Sequence, residues 1–328
     1  MHAIRTLDDP MKEKHEMSHA PINSEEMTRL AHVANNRLSF WIGIIFALLG
    51  LLAFVVIFNV VFPTLGDTLS QGNLILLGLV FSLVPAGLWL SFFYQLDRQE
   101  PEPVEMVFSI FVVGMLLTAA LYQPVLQGIF EIDRWLYANW WARLSGGILV
   151  VGFFEQFLVY ATVRYGVFKR PEFDERMDGI IYAIAAGLGF ATVLNFIYVL
   201  DHGGVDLDIG SIRMVVNALA HASFAGVLGY FIGQTRFEKT PIYYLPMGLT
   251  IAAVMNGLFF FILERSSTGG LSFNPWINLI FATIIAVVTL FIVFWLVARD
   301  NEETLRLARA AANQNLLASL PPSRLRLM

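Results

Sequence analysis

The chain has 328 residues, 57% of them hydrophobic and only 14% charged, with a formal net charge of −5 and no cysteine. That balance excludes an ordinary soluble domain, and the missing thiols exclude disulfides, thiolate metal sites and cysteine nucleophiles. No basic block points to nucleic acid.

Residues 1–37 read as a polar cytoplasmic tail of mixed charge. Ser24-Glu25-Glu26 fits a cap opening a short helix to about Asn35, with an unstructured tail as the alternative. The first apolar run is too long for a signal-peptide core, so no cleavable leader is expected. Eight apolar runs follow, at approximately 38–62, 73–95, 104–129, 144–165, 179–200, 211–233, 245–263 and 276–298. Each is near the roughly 20 residues a helix needs to cross about 30 Å of hydrocarbon. Irregular backbone cannot face lipid, so all eight are predicted helices.

Between the second and third runs, Asp97-Arg98-Gln99-Glu100-Pro101-Glu102-Pro103 stops one helix and starts the next. After the third, Glu131 to Trp141 holds three Trp and one Tyr beside charges, which suits an interfacial helix at headgroup level. Small residues recur four apart in the fifth run (Ala183, Gly187, Ala191) and the sixth (Ala218, Ala222, Gly226; Ala225, Gly229, Gly233). Such tracks let helices approach closely, so these two spans are expected to pack at the centre. Asp201, His202, Asp206 and Asp208 follow the fifth run and suit either a hard-cation site or a flexible polar loop beside Gly203-Gly204.

With the N-terminus inside, the inner loops and flanks hold twelve Lys and Arg against four outside. The positive-inside rule therefore favours both termini inside, which agrees with an even number of spans. The expected fold is all-α and polytopic, with about eight transmembrane helices. It divides into the tail 1–37, a membrane domain 38–299 and a cytoplasmic amphipathic segment 300–328. In that last segment Leu305, Ala308, Ala312 and Leu316 recur at helical spacing before Pro321-Pro322.

Two ionisable side chains sit well inside the spans: Glu155 in the fourth and His221 in the sixth. A charge at such depth costs at least about 2.5–3.5 kcal/mol on insertion scales, which marks both as functional candidates. Asn256 lies at similar depth in the seventh span, Asn195 and Tyr198 in the outer half of the fifth, and Asn217 one turn from His221. One reading is a polar pocket between spans four to seven, where a metal could lower the pKa of water and a carboxylate take its proton. The other is a hydrogen-bonded network that locks helices together. Glu155 and His221 are expected to pair, with Gln156, Asn195 and Asn256 completing the network.

Several motifs in order carry a family resemblance. They are Asp97-Arg98 with Glu100-Pro101-Glu102-Pro103, then Phe173-Asp174-Glu175-Arg176-Met177-Asp178-Gly179, then Gly187-Leu188-Gly189-Phe190-Ala191 with Asn195 and Tyr198. His221 with Ser223, Gly226 and Gly229 follows, and then Asn256-Gly257-Leu258. Over about residues 75–265 the chain resembles the PrsW family of bacterial intramembrane proteases, part of the CAAX-protease-like group. The resemblance implies a metalloprotease, but the departures fall on the chemistry. The family's Glu-Glu pair with a Lys three residues on reads here Glu155, Gln156 and Val159. The Glu before the core Asn is Leu194, and the last motif His is Asn256. Of the acid and imidazole positions only Glu155 and His221 remain, as remnant catalytic residues and, if any metal binds, its ligands. Catalytic zinc usually has three protein ligands, so no cofactor is expected. Zinc belongs to the hydrolytic alternative.

The expected function is therefore a PrsW-like pseudoprotease of the bacterial cytoplasmic membrane. It would bind or scaffold membrane-protein partners among the lipids without cutting them, alone or as an accessory subunit of a membrane complex. The alternative is an active intramembrane metalloprotease acting on membrane-anchored proteins such as an anti-sigma factor. A small-molecule or ion pathway is a third class.

Overall fold

A backbone in hydrocarbon has no partner but itself, and the long apolar runs accordingly form helices. A computed structural model describes residues 69–95, 102–204 and 209–267 without a break, together with parts of 42–57 and 280–299. The chain divides into two units, Met1–Ile45, of which only residues 42 and 45 are described, and Phe46–Met328. The unbroken stretches of the second unit hold the helices α1 (Gln71–Tyr94), α2 (Val104–Gln123), α3 (Ile132–Trp135), α4 (Trp140–Gly146), α5 (Phe153–Gly166), α6 (Arg176–Asp201), α7 (Ile209–Phe237) and α8 (Tyr244–Ser267). No strand occurs among the described residues.

Among the described residues, six helical stretches are long and apolar enough to cross a membrane: Gln71–Tyr94, Val104–Ile129, Trp140–Gly166, Arg176–Asp201, Gly210–Phe237 and Tyr244–Leu263. They coincide with the second to seventh expected spans to within a few residues. The expected first and eighth fall partly outside the described residues, which are helical at 49–56 and 287–296. The N-terminal tail, Asp206, Asp208 and the segment from Asn301 lie outside the described residues.

The expected interfacial helix over 131–141 is instead divided. Four residues make the turn α3, and Trp140 already opens α4, with Asn139 as its cap accepting from Ala142 N at 2.8 Å. The Trp140 and Trp141 rings still stack at 4.0 Å with both side chains exposed, as headgroup-level aromatics do.

α6 and α7 form the central pair, with α1, α2, α5 and α8 packed around them. The small-residue tracks explain the closeness. A Cβ on Gly229 would stand 2.2 Å from the Gly179 carbonyl oxygen, and one on Gly233 2.2 Å from that of Arg176. Only glycine permits this approach.

Among the described residues, two six-residue π-helical turns interrupt the bundle. Pro124 has no N–H to continue the α ladder of α2, and Pro124–Ile129 widens into a π turn in which Phe130 N donates to Val125 O at 2.9 Å. The second turn, Gly147–Gly152, joins α4 to α5. Its glycines sit against α8, where a Cβ on Gly257 would be 2.4 Å from the Ile148 Cα. Leu126 and Val151, one from each turn, pack with Ile132 and Leu136 in one buried cluster.

Candidate functional site

A polar residue in an apolar helix must find a partner or a cavity. Here α2, α5, α6, α7 and α8 turn theirs toward a common space of about 350 Å³, lined by Glu155, Leu194, Asn195, Tyr198, Asn217, His221 and Asn256. At about 1.5 Å per residue, Glu155 lies about 17 Å from the end of α5 and His221 about 18 Å from the start of α7. Asp133, Tyr137, Asp201, His202 and Arg213 line the same space nearer the helix ends.

Glu155 lies in the first turn of α5, two residues beyond the Phe153 that follows the second π turn, and is 2% exposed. Its Oε2 accepts from Asn256 Nδ2 at 2.7 Å, and Tyr122 of α2 is its second side-chain hydrogen-bond partner. The expected Glu155–His221 pair does not form. His221 is instead enclosed by rings, with Phe190, Phe224 and Phe259 centroids at 5.2, 6.1 and 6.3 Å. The imidazole packs well against aromatic faces, whereas the Asn256 amide and Tyr122 hydroxyl reach the carboxylate first.

Asn195 and Asn217 make a separate link. Asn217 Nδ2 donates to Asn195 Oδ1 at 2.8 Å, and Asn195 Nδ2 donates to Met214 O at 3.1 Å. Tyr198 lies toward the helix ends, its ring tilted against that of His202 with centroids 4.0 Å apart and the Arg213 guanidinium 4.3 Å from its centroid. Gln156 and Val159 do not line the cavity. Gln156 is 1% exposed, and neither its amide oxygen nor its amide nitrogen has a hydrogen-bond partner. Ser223 Oγ on α7 is likewise buried and unpartnered.

A second polar cluster lies at the opposite helix ends. Glu102, Asp174 and Asp178 place carboxylate oxygens within 4.8 Å of one another. Tyr182 Oη donates to Glu102 Oε2 at 2.5 Å, and Glu102 is also a hydrogen-bond partner of Asp178. Asp178 additionally completes the capping box of α6, accepting from Glu175 N at 2.7 Å. An all-oxygen set suits a hard cation such as calcium or magnesium rather than a catalytic zinc.

Sequence reasoning missed Tyr122 and this cluster. Tyr122 had one visible signal, its place just before Gln123-Pro124 at the end of an apolar run. The acids stood within motifs already singled out, but 72 residues separate Glu102 from Asp174.

Residues 102–298 match the profile described as PrsW family intramembrane metalloprotease. The chain belongs to the PrsW family. It is 29% identical to Protease PrsW of Bacillus subtilis (strain 168) over 200 residues, 57% of this chain and 85% of the relative. Protease PrsW of Oceanobacillus iheyensis is 27% identical over 229 residues, 68% of this chain and 95% of the relative. No solved structure matches.

PrsW membership implies a metal, and the cavity tests that implication through its donors. Glu155 and His221 are the acid and imidazole at its depth, and Asn256 directs its N–H, not a lone pair, at Glu155. Leu194 has no donor atom, and Gln156 is turned elsewhere. Among the described residues, the group of three carboxylates or imidazoles close enough to share an ion is Glu102, Asp174 and Asp178, not this one. The cavity residues therefore do not fit a three-ligand catalytic zinc.

Proposed function

We propose that this PrsW family protein holds a segment of a membrane-anchored client in the polar cavity without cutting it, in the cytoplasmic membrane of a bacterium. One observation carries the reading: Glu155 is engaged by the neutral side chains Asn256 and Tyr122, in a cavity whose donors fall short of a zinc site. The amides of Asn195, Asn217 and Asn256 offer hydrogen bonds to exposed peptide groups, which an unwound helix carries and a regular one does not. A cavity of about 350 Å³ accommodates a few side chains at a time.

A second reading, hydrolysis of the client, is favoured by the presence of a carboxylate and an imidazole in one cavity, the groups acid–base catalysis uses. Mapping of new protein N-termini in membranes separates the two. Cells carrying the natural protein and cells carrying Glu155→Gln are expected to show the same termini within membrane spans. Termini that vanish with Glu155→Gln would establish proteolysis.

A further inference from the structure

We propose that the cavity recognises a cationic group on its client, an ammonium or guanidinium, with Glu155 as the counter-ion. This rests on the client-binding reading and adds a chemical class to it.

Glu155 is buried, yet no Lys, Arg or His nitrogen lies within 4.0 Å of it among the described residues, and its two hydrogen-bond donors are neutral. A buried charge is normally retained only with a compensating partner. A carboxylate offers about four lone-pair sites, so two donors leave it acceptor capacity toward the open space beside it. The cavity wall has the matching polarity. Asp133 and Asp201 line it toward the helix ends beside His202, and among the described residues the Arg of the lining, Arg213, lies over Tyr198 and donates to Leu263 O at 3.4 Å.

The remaining lining suits an organic cation. Tyr122, Phe259 and Phe260 add aromatic rings to the lining, and aromatic faces attract ammonium and guanidinium groups. Ile132, Ile197 and Leu263 supply apolar surface for a hydrocarbon stem, the way Lys and Arg bury theirs. A bare divalent ion would find one carboxylate and no second charged ligand at that depth.

The test uses the full-length protein in lipid nanodiscs and three fluorescent peptides. Each has a membrane-spanning Leu/Ala helix and an N-terminal Ala/Ser tail of about eight residues, long enough when extended to span about 26 Å. The first tail carries one lysine and an acetylated N-terminus. The second has norleucine in its place, also acetylated. The third has norleucine and a free α-ammonium, which separates a side-chain cation from a terminal one.

Either ammonium peptide is expected to bind at least about tenfold more tightly than the neutral one. That preference should disappear in Glu155→Gln and survive in Glu155→Asp, both checked for a native melting profile. Equal binding of all three peptides, or a preference unchanged in Glu155→Gln, overturns the counter-ion role and leaves client binding standing. A preference that appears only with added zinc also overturns it. Failure of every peptide to bind overturns the client-binding reading itself.

Discussion

The bond between Asn256 and Glu155 joins α8 to α5 at mid-depth, and a double-mutant cycle measures what it contributes. Hydrogen bonds to charged groups are typically worth about 1.5–3 kcal/mol, but interhelical bonds in membranes average only about 0.6, with a maximum near 1.7. Glu155 is 2% exposed and the contact is 2.7 Å, so water does not compete well for it. Tyr122 remains as a second donor and softens the loss. A coupling of about 1.5 kcal/mol is therefore expected, near the top of the membrane range. The cycle comprises Glu155→Leu, Asn256→Leu and the double variant, each unfolded by SDS titration from mixed micelles. Asn256→Leu alone should be the most destabilised, since it leaves a buried acceptor short of a donor. The double variant should recover much of the loss, because removing both polar partners is close to neutral. A coupling below about 0.3 kcal/mol would refute the assignment of Asn256 as the principal partner of Glu155.

Glycine substitutions at the α6–α7 contact should separate close approach from ordinary helix propensity. Gly229→Ala forces a Cβ to 2.2 Å from the Gly179 carbonyl oxygen and should cost about 1–3 kcal/mol in the same titration, whereas Gly87→Ala, with nothing within 4 Å, should be neutral or mildly stabilising. Tyr182→Phe removes the 2.5 Å bond to Glu102 and should lower stability by about 1–3 kcal/mol; an unchanged unfolding midpoint would show that the acidic cluster does not depend on it. Metal analysis of the purified protein should find less than one zinc per chain, and the combined variant Leu194→Glu, Asn256→His, which adds two donors to the cavity lining, should raise that content. Equal zinc in both would contradict the donor-set argument.

The spans were legible because their signal is long and physically compelled. Twenty apolar residues admit few structures, and the second to seventh expected runs fall on six observed helices. The close approach of α6 and α7 was readable for a similar reason, since small residues four apart mark a face whatever the partner; Ala183 and Gly229 of the two tracks do meet, whereas Gly179 stood outside them. The cavity's members were legible as residues, because Glu155, His221, Asn195, Asn217 and Asn256 each sit where a polar group demands an explanation. Their pairing was not. Which face of α5 carries Glu155 depends on the π turn before it, and an inserted residue there rotates the following helix by about 100°. No periodicity argument locates that turn, so Gln156 was expected in a network from which it is absent. Tyr122 was hidden the same way, beside the other π turn. Glu102 and Asp174 meet only because α2 and α6 are neighbours, a tertiary fact that spacing along the chain does not contain.

Leu194 lines the cavity without a polar atom of its own, so a photo-crosslinking amino acid at that position samples the occupant while leaving Glu155, His221 and Asn256 in place. Irradiation of native membranes followed by mass determination of the linked polypeptide tests client holding most directly. The expected result is a membrane-anchored protein captured at full length, equally in the natural background and in Glu155→Gln. Capture of a shortened polypeptide in the natural background, and of the full-length one only in Glu155→Gln, would contradict it.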